Sequence, residues 1–217
     1  MRIKGAIFDM DGTLLDSMPI YETVIPDLLA ELGYAPAPKW RDAVRQLSGI
    51  DVLECVREMH GARESAAELE ALLDRKLVEY YTHTPQPKPG VRELLETLGS
   101  RGIPMVVATA TNRVSVEPAL RRVGFGQYFK RLYICREEDA PKSEPEIFLR
   151  AARFLGAEPS EVCVFEDALH AVKSAKRGGF YVVAVRDLAE ERHREEIRAL
   201  ADEYYDDLSD FDAAKLL

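Results

Sequence analysis

Two aspartates separated by one residue follow the first apolar run of the chain. The run covers residues 3–8, and Asp9 and Asp11 come directly after it, ahead of Gly12. In an extended backbone, residues i and i+2 project to the same side, so both carboxyl groups would lie at the carboxyl end of a strand. Open α/β sheets bind ligands at that end. Two like charges this close repel one another, which favours a cation or a shared proton between them over a plain acidic turn.

Length and charge restrict the possible partners. The chain has 217 residues, 47% of them hydrophobic and 31% charged, enough for one large domain or for a core with an insertion. The formal net charge of −9 argues against nucleic acid as a partner, because phosphate backbones bind basic surfaces. A small anionic substrate stays possible, since it requires only a local pocket of donors and a metal.

The cysteines and the apolar runs predict the compartment. Cys55, Cys135 and Cys163 are far apart and show no Cys-x-x-Cys spacing. They favour buried, reduced thiols of an intracellular protein over a disulfide or zinc framework. No secretory signal is expected, because Asp9 and Asp11 interrupt the N-terminal apolar run. No apolar stretch is long enough to cross a membrane. We therefore expect a cytoplasmic protein with no membrane partner.

Residues 15–84 show helical patterning. Apolar residues recur at helical spacing over residues 20–32, and a second stripe over residues 69–80 follows a capping-box pattern at residues 65–68. Three prolines within residues 85–89 then disfavour helix and predict a stiff linker. This part of the chain is expected to form a small helical bundle.

Strands and helices alternate beyond residue 90, which predicts βαβ units and a parallel sheet. The expected fold class is α/β, with a Rossmann-like core of residues 1–14 and 85–217 and a helical cap domain of residues 15–84 inserted after the first strand. An insert of this kind suits a hinged lid over the strand ends. The predicted elements are helix 91–98, strand 104–109, helix 112–124, strand 131–135, helix 146–155, strand 162–165, helix 168–177 and strand 181–185, with mostly helix beyond.

The segment Phe-Asp-Met-Asp-Gly-Thr-Leu-Leu-Asp-Ser, residues 8–17, resembles motif I of the haloacid dehalogenase superfamily. The cap inserted after the first strand is similar as well, in particular to the β-phosphoglucomutase and phosphoglycolate phosphatase group, so the resemblance covers the whole chain. It implies that Asp9 is the nucleophile toward phosphorus and that Asp11 is a general acid and base. It also implies Mg²⁺ bound by Asp9 and by the backbone carbonyl of Asp11.

Thr109 ends a predicted strand and precedes Ala110, Thr111 and Asn112. A hydroxyl and backbone N–H groups at a helix N-terminus can bind an anion. The residues alone favour a simpler interpretation, in which Thr109 ends the strand and Asn112 caps the helix. Motif II of the family has Ser or Thr at this position, so the resemblance implies that Thr109 and the Ala110 backbone bind phosphate.

Lys142 lies in a polar loop where family members commonly carry Gly-Lys-Pro-x-Pro-Asp-x-Phe. The chain keeps the spacing Lys-x-x-Pro-Glu-x-Phe but has Pro141 and Ser143 beside the lysine, so the loop backbone can differ. A lone lysine in a polar loop is usually solvated. The resemblance implies instead that the Lys142 ammonium neutralises phosphoryl oxygens and shields the Asp9 carboxylate.

Glu166 and Asp167 end the apolar strand 162–165. Acids at the end of a buried strand are costly unless a cation lies beside them. The pair matches motif IV of the family, which supplies a magnesium ligand. The resemblance implies that Asp167 binds the metal directly, whereas Glu166 often holds a metal-bound water in such proteins.

Together these residues imply a Mg²⁺-dependent phosphatase that hydrolyses a small phosphorylated metabolite through an aspartyl phosphate on Asp9. Asp11 argues against dehalogenation, because haloacid dehalogenases lack the second aspartate. A phosphomutase resembling β-phosphoglucomutase is an alternative, although Tyr21 and Val52 stand where that enzyme has a cap histidine and arginine.

A phospho-acceptor signalling domain, which is not an enzyme, is a second alternative. Such domains also combine acids, a Thr or Ser and a Lys on a parallel sheet, but they lack the Asp-Gly-Thr turn and the helical insert. The substrate stays open, because cap residues such as Tyr21, Trp40 and Asp51 carry no readable code.

Overall fold

The computed structural model describes residues 2–35 and 50–216, with the backbone alone at Ile50. The described strands are β1 (Gly5–Phe8), β2 (Leu15–Asp16), β3 (Gln86–Pro87), β4 (Met105–Thr109), β5 (Phe129–Ile134), β6 (Val162–Glu166), β7 (Tyr181–Val185) and β8 (Glu203–Tyr205). The described α-helices are α1 (Ile20–Glu31), α2 (Ile50–His60), α3 (Ala66–His83), α4 (Val91–Ser100), α5 (Arg113–Arg122), α6 (Cys135–Glu138), α7 (Glu146–Leu155), α8 (Leu169–Arg177) and α9 (Arg194–Leu200). Short 3₁₀ turns lie at Gly126–Tyr128, Pro159–Glu161, Leu188–His193, Leu208–Asp210 and Ala213–Leu216.

The chain divides into two compact units. The larger consists of Met1–Met18 and Tyr81–Leu217, and the smaller of Pro19–Tyr80. Residues 15–18 and 81–84, which the sequence assigns to the insert, group with the larger unit. The α/β fold class is confirmed, whereas the role of the smaller unit as a cap stays a prediction.

A six-stranded sheet of order β5-β4-β1-β6-β7-β8, parallel throughout, forms the centre of the larger unit. From β1 the chain adds strands toward one edge and then returns to add the others on the opposite side of β1. The strand order therefore reverses between β1 and β6, and open α/β sheets bind ligands beside such a reversal. Phe8 pairs with Phe165 in the register of these two strands. The residues that follow them, Asp9 and Glu166, are thereby brought side by side.

Apolar residues of α7 and α8 cover one face of this sheet. Ile147, Phe148 and Val172 are at most 1% exposed and pack in one cluster with Ile7 of β1 and Val164 of β6. Burying each of these side chains contributes about 1.5–3 kcal/mol. This packing makes the sheet rigid, so the side chains at the carboxyl ends of its strands are fixed in position.

The smaller unit is helical, with a core from α1, α2 and the first part of α3. Its buried cluster includes Val24, Leu28, Val56 and Leu69, which confirms the predicted helical stripes. The capping box also forms: the Ser65 N–H donates to the Glu68 carboxylate at 2.8 Å, and the Glu68 N–H donates to the Ser65 hydroxyl at 3.3 Å.

Several local expectations were wrong. β2 and β3 pair antiparallel, although the sequence predicts helix at the first and a plain linker at the second. β8 adds an edge strand in a region predicted to be mostly helical. Cys163 is buried, but Cys55 and Cys135 are partly exposed; all three are free thiols. Within the described residues, no helix has both the length and the hydropathy to span a membrane.

Candidate active site

Three acidic side chains lie close together at the carboxyl ends of β1 and β6, where the strand order reverses. Asp9 follows β1, Glu166 ends β6 and Asp167 comes next, and one carboxylate oxygen from each lies within 4.8 Å of the others. Their exposed fractions are 6%, 0% and 3%. The Asp9 N–H donates to the Phe165 carbonyl at 3.0 Å, which ties the end of β1 to β6. The sheet register thus brings three carboxylates into one buried cluster.

Lys142 supplies the positive charge of this cluster. Its ammonium, on the loop before α7, donates to Asp9 Oδ1 at 2.5 Å and forms an ion pair with Glu166. Only 6% of the lysine is exposed. Pro141 and Ser143, the departures from the family pattern, therefore do not prevent Lys142 from pairing with Asp9.

The electrostatics of the cluster are dominated by burial. Among the chain's own groups, burial and then repulsion from Glu166 and Asp11 raise the pKa of Asp9 to about 8, although Lys142 opposes the shift. Burial, with Glu166 and Asp9, also raises the pKa of Asp167 well above its ordinary value. Burial lowers the pKa of Lys142, but Asp9 and Glu166 outweigh burial and hold it above its usual range. Three carboxylates thus face one ammonium.

A divalent cation fits this donor set. Carboxylate oxygens are ligands that Mg²⁺ prefers, and a second positive charge would favour the ionised forms that burial disfavours. Glu166 is already oriented, because its Oε2 accepts hydrogen bonds from the Asp167 and Ala168 N–H groups at 2.9 Å each. The residues present are therefore suited to a metal, and Asp9, Glu166 and Asp167 are the ones that could hold it.

The Asp-Gly-Thr turn presses directly against Asp167. Gly12 has a φ of +80°, and a Cβ at this position would lie 2.3 Å from Asp167 Oδ2. Any side chain there would clash with that carboxylate in addition to straining the backbone. The Thr13 hydroxyl donates to Asp167 Oδ1 at 3.3 Å. The glycine and threonine of the motif therefore place the turn against the metal cluster.

Lys88 binds the backbone of the same turn. Its ammonium donates to the Gly12 carbonyl at 2.7 Å, to the Arg186 carbonyl at 2.6 Å and to Asp187 Oδ2 at 3.1 Å. The side chain is only 10% exposed. The sequence analysis missed this residue, because a lysine in a proline-rich linker gives no signal of burial.

Hydroxyl groups surround the second aspartate, Asp11. Its Oδ1 accepts hydrogen bonds from Tyr81 at 2.5 Å and Ser17 at 2.6 Å. Its Oδ2 accepts from Thr111 at 2.7 Å and from Thr109 at 3.4 Å. The sequence analysis assigned no role to Tyr81, Ser17 or Thr111. Ser17 and Thr111 lie in the segments around Asp11 and Thr109, whose motifs the sequence analysis interpreted. Tyr81 follows the apolar stripe that ends at Tyr80, and no pattern in the sequence distinguishes Tyr81.

The predicted phosphate-binding residues lie beside Asp11. Thr109 is fully buried at the end of β4, and its hydroxyl accepts from the Thr111 N–H at 3.1 Å. Ala110 is exposed, and Asn112 is the N-cap residue of α5. Thr109 thus contacts Asp11, the second aspartate of the motif, while its binding of phosphate stays a prediction.

The positions that distinguish a phosphomutase lie in the smaller unit. Tyr21, on α1, is 41% exposed. Val52, on α2, packs against the core of the helical unit. Trp40 lies outside the described residues.

Comparisons with known proteins identify the family of the chain. A family model described as haloacid dehalogenase-like hydrolase matches residues 3–179. The chain is 30% identical over 190 residues to the N-acetylmuramic acid 6-phosphate phosphatase of Pseudomonas aeruginosa, covering 86% of this chain and 83% of the relative. It is 31% identical over 180 residues to the phosphorylated carbohydrates phosphatase of Thermotoga maritima, covering 82% of each.

A solved structure shares the whole fold. The crystal structure of CbbY from Rhodobacter sphaeroides in complex with phosphate has a TM-score of 0.84 at 23% identity, covering 99% of both chains. At that identity the likeness supports the fold alone. The family model, by contrast, matches most of the chain from β1 to the end of α8, and on that match the chain belongs to the haloacid dehalogenase-like hydrolase family.

Proposed function

We propose that this chain is a Mg²⁺-dependent phosphatase that hydrolyses a small phosphorylated carbohydrate through an aspartyl phosphate on Asp9. The observation that carries the proposal is the pairing of the Asp9 carboxylate with the Lys142 ammonium at 2.5 Å, inside a buried cluster of acids. A carboxylate held in this way is oriented for attack, and the adjacent ammonium can bind the anionic group that is attacked.

In the first step, a carboxylate oxygen of Asp9 attacks phosphorus and forms a new O–P bond. The bond from phosphorus to the substrate oxygen breaks, and Asp11 donates its proton to that leaving oxygen. In the second step, Asp11 accepts a proton from water as the water attacks phosphorus. The bond from phosphorus to Asp9 then breaks, which releases orthophosphate and returns both aspartates to their starting forms.

Other residues would bind the transferred group and the metal. Thr109, the Ala110 backbone and Lys142 would hold the phosphoryl oxygens. Asp9, the Asp11 backbone carbonyl and Asp167 would bind Mg²⁺, with Glu166 acting directly or through a water. When bound there, the cation would supply positive charge that reduces repulsion between the carboxylate and the anionic substrate.

The names of the relatives support the substrate class. The two relatives described above are named for phosphatase activity on a phosphorylated amino sugar acid and on phosphorylated carbohydrates. A carbohydrate phosphate is small and anionic, so the local Lys142 ammonium and a bound cation can attract it even though the chain's net charge is −9. We propose that a member of this class is the substrate, without specifying which sugar.

A phosphate-release screen tests the proposal. The purified chain is incubated with a panel of sugar phosphates and phosphoglycolate, with Mg²⁺ or with a chelator, beside the Asp9→Asn variant. We expect orthophosphate release that needs both the cation and Asp9. Release that survives chelation or Asp9→Asn would contradict the mechanism.

The same screen separates the alternatives. Conversion of one sugar phosphate into an isomer, with little free orthophosphate, would favour a phosphomutase. A phosphoprotein that persists without turnover would favour a signalling domain. Asp11 beside Asp9 favours hydrolysis over a lasting phosphoprotein, because it can take a proton from the water that attacks the intermediate.

A further inference from the structure

Tyr81 is a buried residue that the mechanism above does not use. It is 0% exposed, and its hydroxyl lies 2.5 Å from Asp11 Oδ1. Burying a tyrosine hydroxyl without a hydrogen-bond partner is costly, so buried tyrosines are found with their hydroxyls paired. Here the hydroxyl donates to the carboxyl that we propose as general acid and base.

The kind of donor matters for a group that gains and loses a proton. An ammonium or a backbone N–H can only donate, so it holds a carboxylate but not a carboxylic acid. A hydroxyl can donate to the carboxylate and, by rotating its O–H bond, accept from the protonated form. Tyr81 and Ser17 both bond the same oxygen of Asp11. They can therefore hold the carboxyl in one orientation throughout the cycle.

The two oxygens of Asp11 have different surroundings. Oδ1 carries the short bonds to Tyr81 and Ser17, both of which are fully buried. Oδ2 accepts a hydrogen bond from the Thr111 hydroxyl at 2.7 Å and lies on the side of Thr109, at 3.4 Å from its hydroxyl. Because Thr109 is the predicted phosphate-binding residue, Oδ2 faces the place where a leaving oxygen would lie.

We propose that Tyr81 is a positioning residue for phosphoryl transfer, whose hydroxyl acts with Ser17 to anchor Asp11 Oδ1 and leave Oδ2 directed at the leaving oxygen. This inference rests on the proposed phosphatase activity and adds a residue to it. Tyrosine suits the role because its ring is rigid and has only two rotatable side-chain bonds, so the hydroxyl is held with little loss of entropy on bonding.

The test is the Tyr81→Phe variant, which removes one oxygen atom. Phenyl phosphate and p-nitrophenyl phosphate serve as probes, because phenolate is a poorer leaving group than p-nitrophenolate and needs protonation more. The value of kcat/KM reports on steps up to the first irreversible one, which here is departure of the phenol. We expect kcat/KM to fall about tenfold more for phenyl phosphate than for p-nitrophenyl phosphate, a fraction of the usual general-acid contribution.

A matched control is available in the same unit. Tyr133 is 2% exposed, and its hydroxyl donates to the Arg150 carbonyl at 3.4 Å, away from the candidate site residues. Tyr133→Phe removes an equivalent hydroxyl and should change kcat/KM for the two probes by the same factor. A shift in the ratio of the two probes with Tyr81→Phe alone therefore identifies positioning of the acid and not loss of packing.

Ser17→Ala provides an independent test if Tyr81→Phe folds poorly. It removes the other donor to Oδ1, so it should shift the ratio in the same direction, and the double variant should lose less than the sum of the single losses because both anchor one atom. Equal losses for both probes in Tyr81→Phe and in Ser17→Ala would overturn the inference while leaving the phosphatase intact. If the unaltered chain releases no phosphate in the presence of Mg²⁺ from either probe or from any sugar phosphate of the panel, the phosphatase and this inference are both overturned.

Discussion

Asp9 and Asp11 are two residues apart, yet their surroundings differ in kind. Asp9 is 6% exposed and faces an ammonium and two other carboxylates. Asp11 is only partly buried, and its carboxylate is contacted by hydroxyls from four different residues. Asp9 is thus paired with a charged ammonium, whereas Asp11 is hydrogen-bonded by uncharged hydroxyl groups.

This difference matches two kinds of chemistry. A nucleophile must be ionised when it attacks, and the ammonium at 2.5 Å favours the ionised form of Asp9, whereas burial opposes it. An acid that becomes a base must be held in both forms, and hydroxyls do that for Asp11. A pair of carboxyl groups whose surroundings favour different protonation behaviour is a general mark of acid–base division in active sites.

Asp9→Asn tests the charged half of the comparison and should have the largest effect. Without a nucleophile no aspartyl phosphate forms, so we expect kcat to fall by about 10⁴-fold or more. The measurement is phosphate release at saturating Mg²⁺ and sugar phosphate. Asp16→Asn is the control, since this exposed aspartate of the same motif has no proposed role, and it should retain activity. Equal loss in the two variants would contradict a specific role for Asp9.

Asp11→Asn tests the aspartate that is hydrogen-bonded by hydroxyl groups. The first step with p-nitrophenyl phosphate needs little protonation of the leaving oxygen, whereas hydrolysis of the intermediate still needs a base. We therefore expect a burst of p-nitrophenolate close to one equivalent per protein, followed by turnover slower by about 10²–10³-fold.

Stopped-flow absorbance gives the burst, and acid quenching followed by mass spectrometry detects the phosphoprotein. Asp9→Asn, measured in parallel, should show neither the burst nor the phosphoprotein. A uniform loss of both phases in Asp11→Asn would mean that Asp11 does not divide the reaction in the proposed way.

The sequence predicts the site residues that lie at strand ends or in family motifs better than it predicts the contacts between them. Asp9, Glu166 and Asp167 end strands, and the carboxyl ends of adjacent parallel strands must meet, so alternation of strands and helices plus the family motifs was enough to predict their cluster. Lys142 was predicted from motif spacing alone. The structure adds the 2.5 Å contact with Asp9, which no pattern in the sequence specifies.

The residues missed around Asp11 and the turn show why the remainder could not be predicted. Tyr80 and Tyr81 are adjacent on α3, and a rotation of about 100° along the helix decides which one is buried. The structure buries Tyr81. Lys88 is buried only because three acceptors from distant segments converge on it. β2 and β3 are two residues each, too short for any periodicity.

Lys142→Met tests whether the charge balance around Asp9 matters. Removing the ammonium leaves a buried cluster of acids without its cation, which typically costs about 3–5 kcal/mol. We expect a lower melting temperature in the presence of chelator. We also expect a loss of about 10²–10³-fold in kcat/KM, as for removal of one donor to a developing anion.

The control is Lys173→Met, which breaks an exposed ion pair with Glu196. Exposed pairs contribute about 0–1 kcal/mol, so the melting temperature should hardly change. A melting temperature for Lys142→Met equal to that of the control would show that the buried lysine does not balance the acids.

Proton release on metal binding is the smallest effect and probes Asp9 directly. Because burial raises the pKa of Asp9 to about 8, a proton occupies this carboxyl group at neutral pH in the metal-free protein and must leave when a cation binds. Burial raises the pKa of Asp167 as well, so proton loss from Asp167 would act in the same direction. The Mg²⁺ affinity of chelator-treated protein should therefore increase as pH rises, by at most about tenfold per pH unit for each proton displaced, and the contribution of Asp9 should level off above about pH 8. Calorimetric titration in two buffers of different ionisation enthalpy counts the protons.

Asp11→Asn, which keeps the three acids of the cluster, should release nearly as many protons as the unaltered chain, whereas Asp9→Asn should release fewer. An affinity independent of pH would mean that these carboxyl groups are already ionised, and the contrast between the two aspartates would then rest on hydrogen bonding alone.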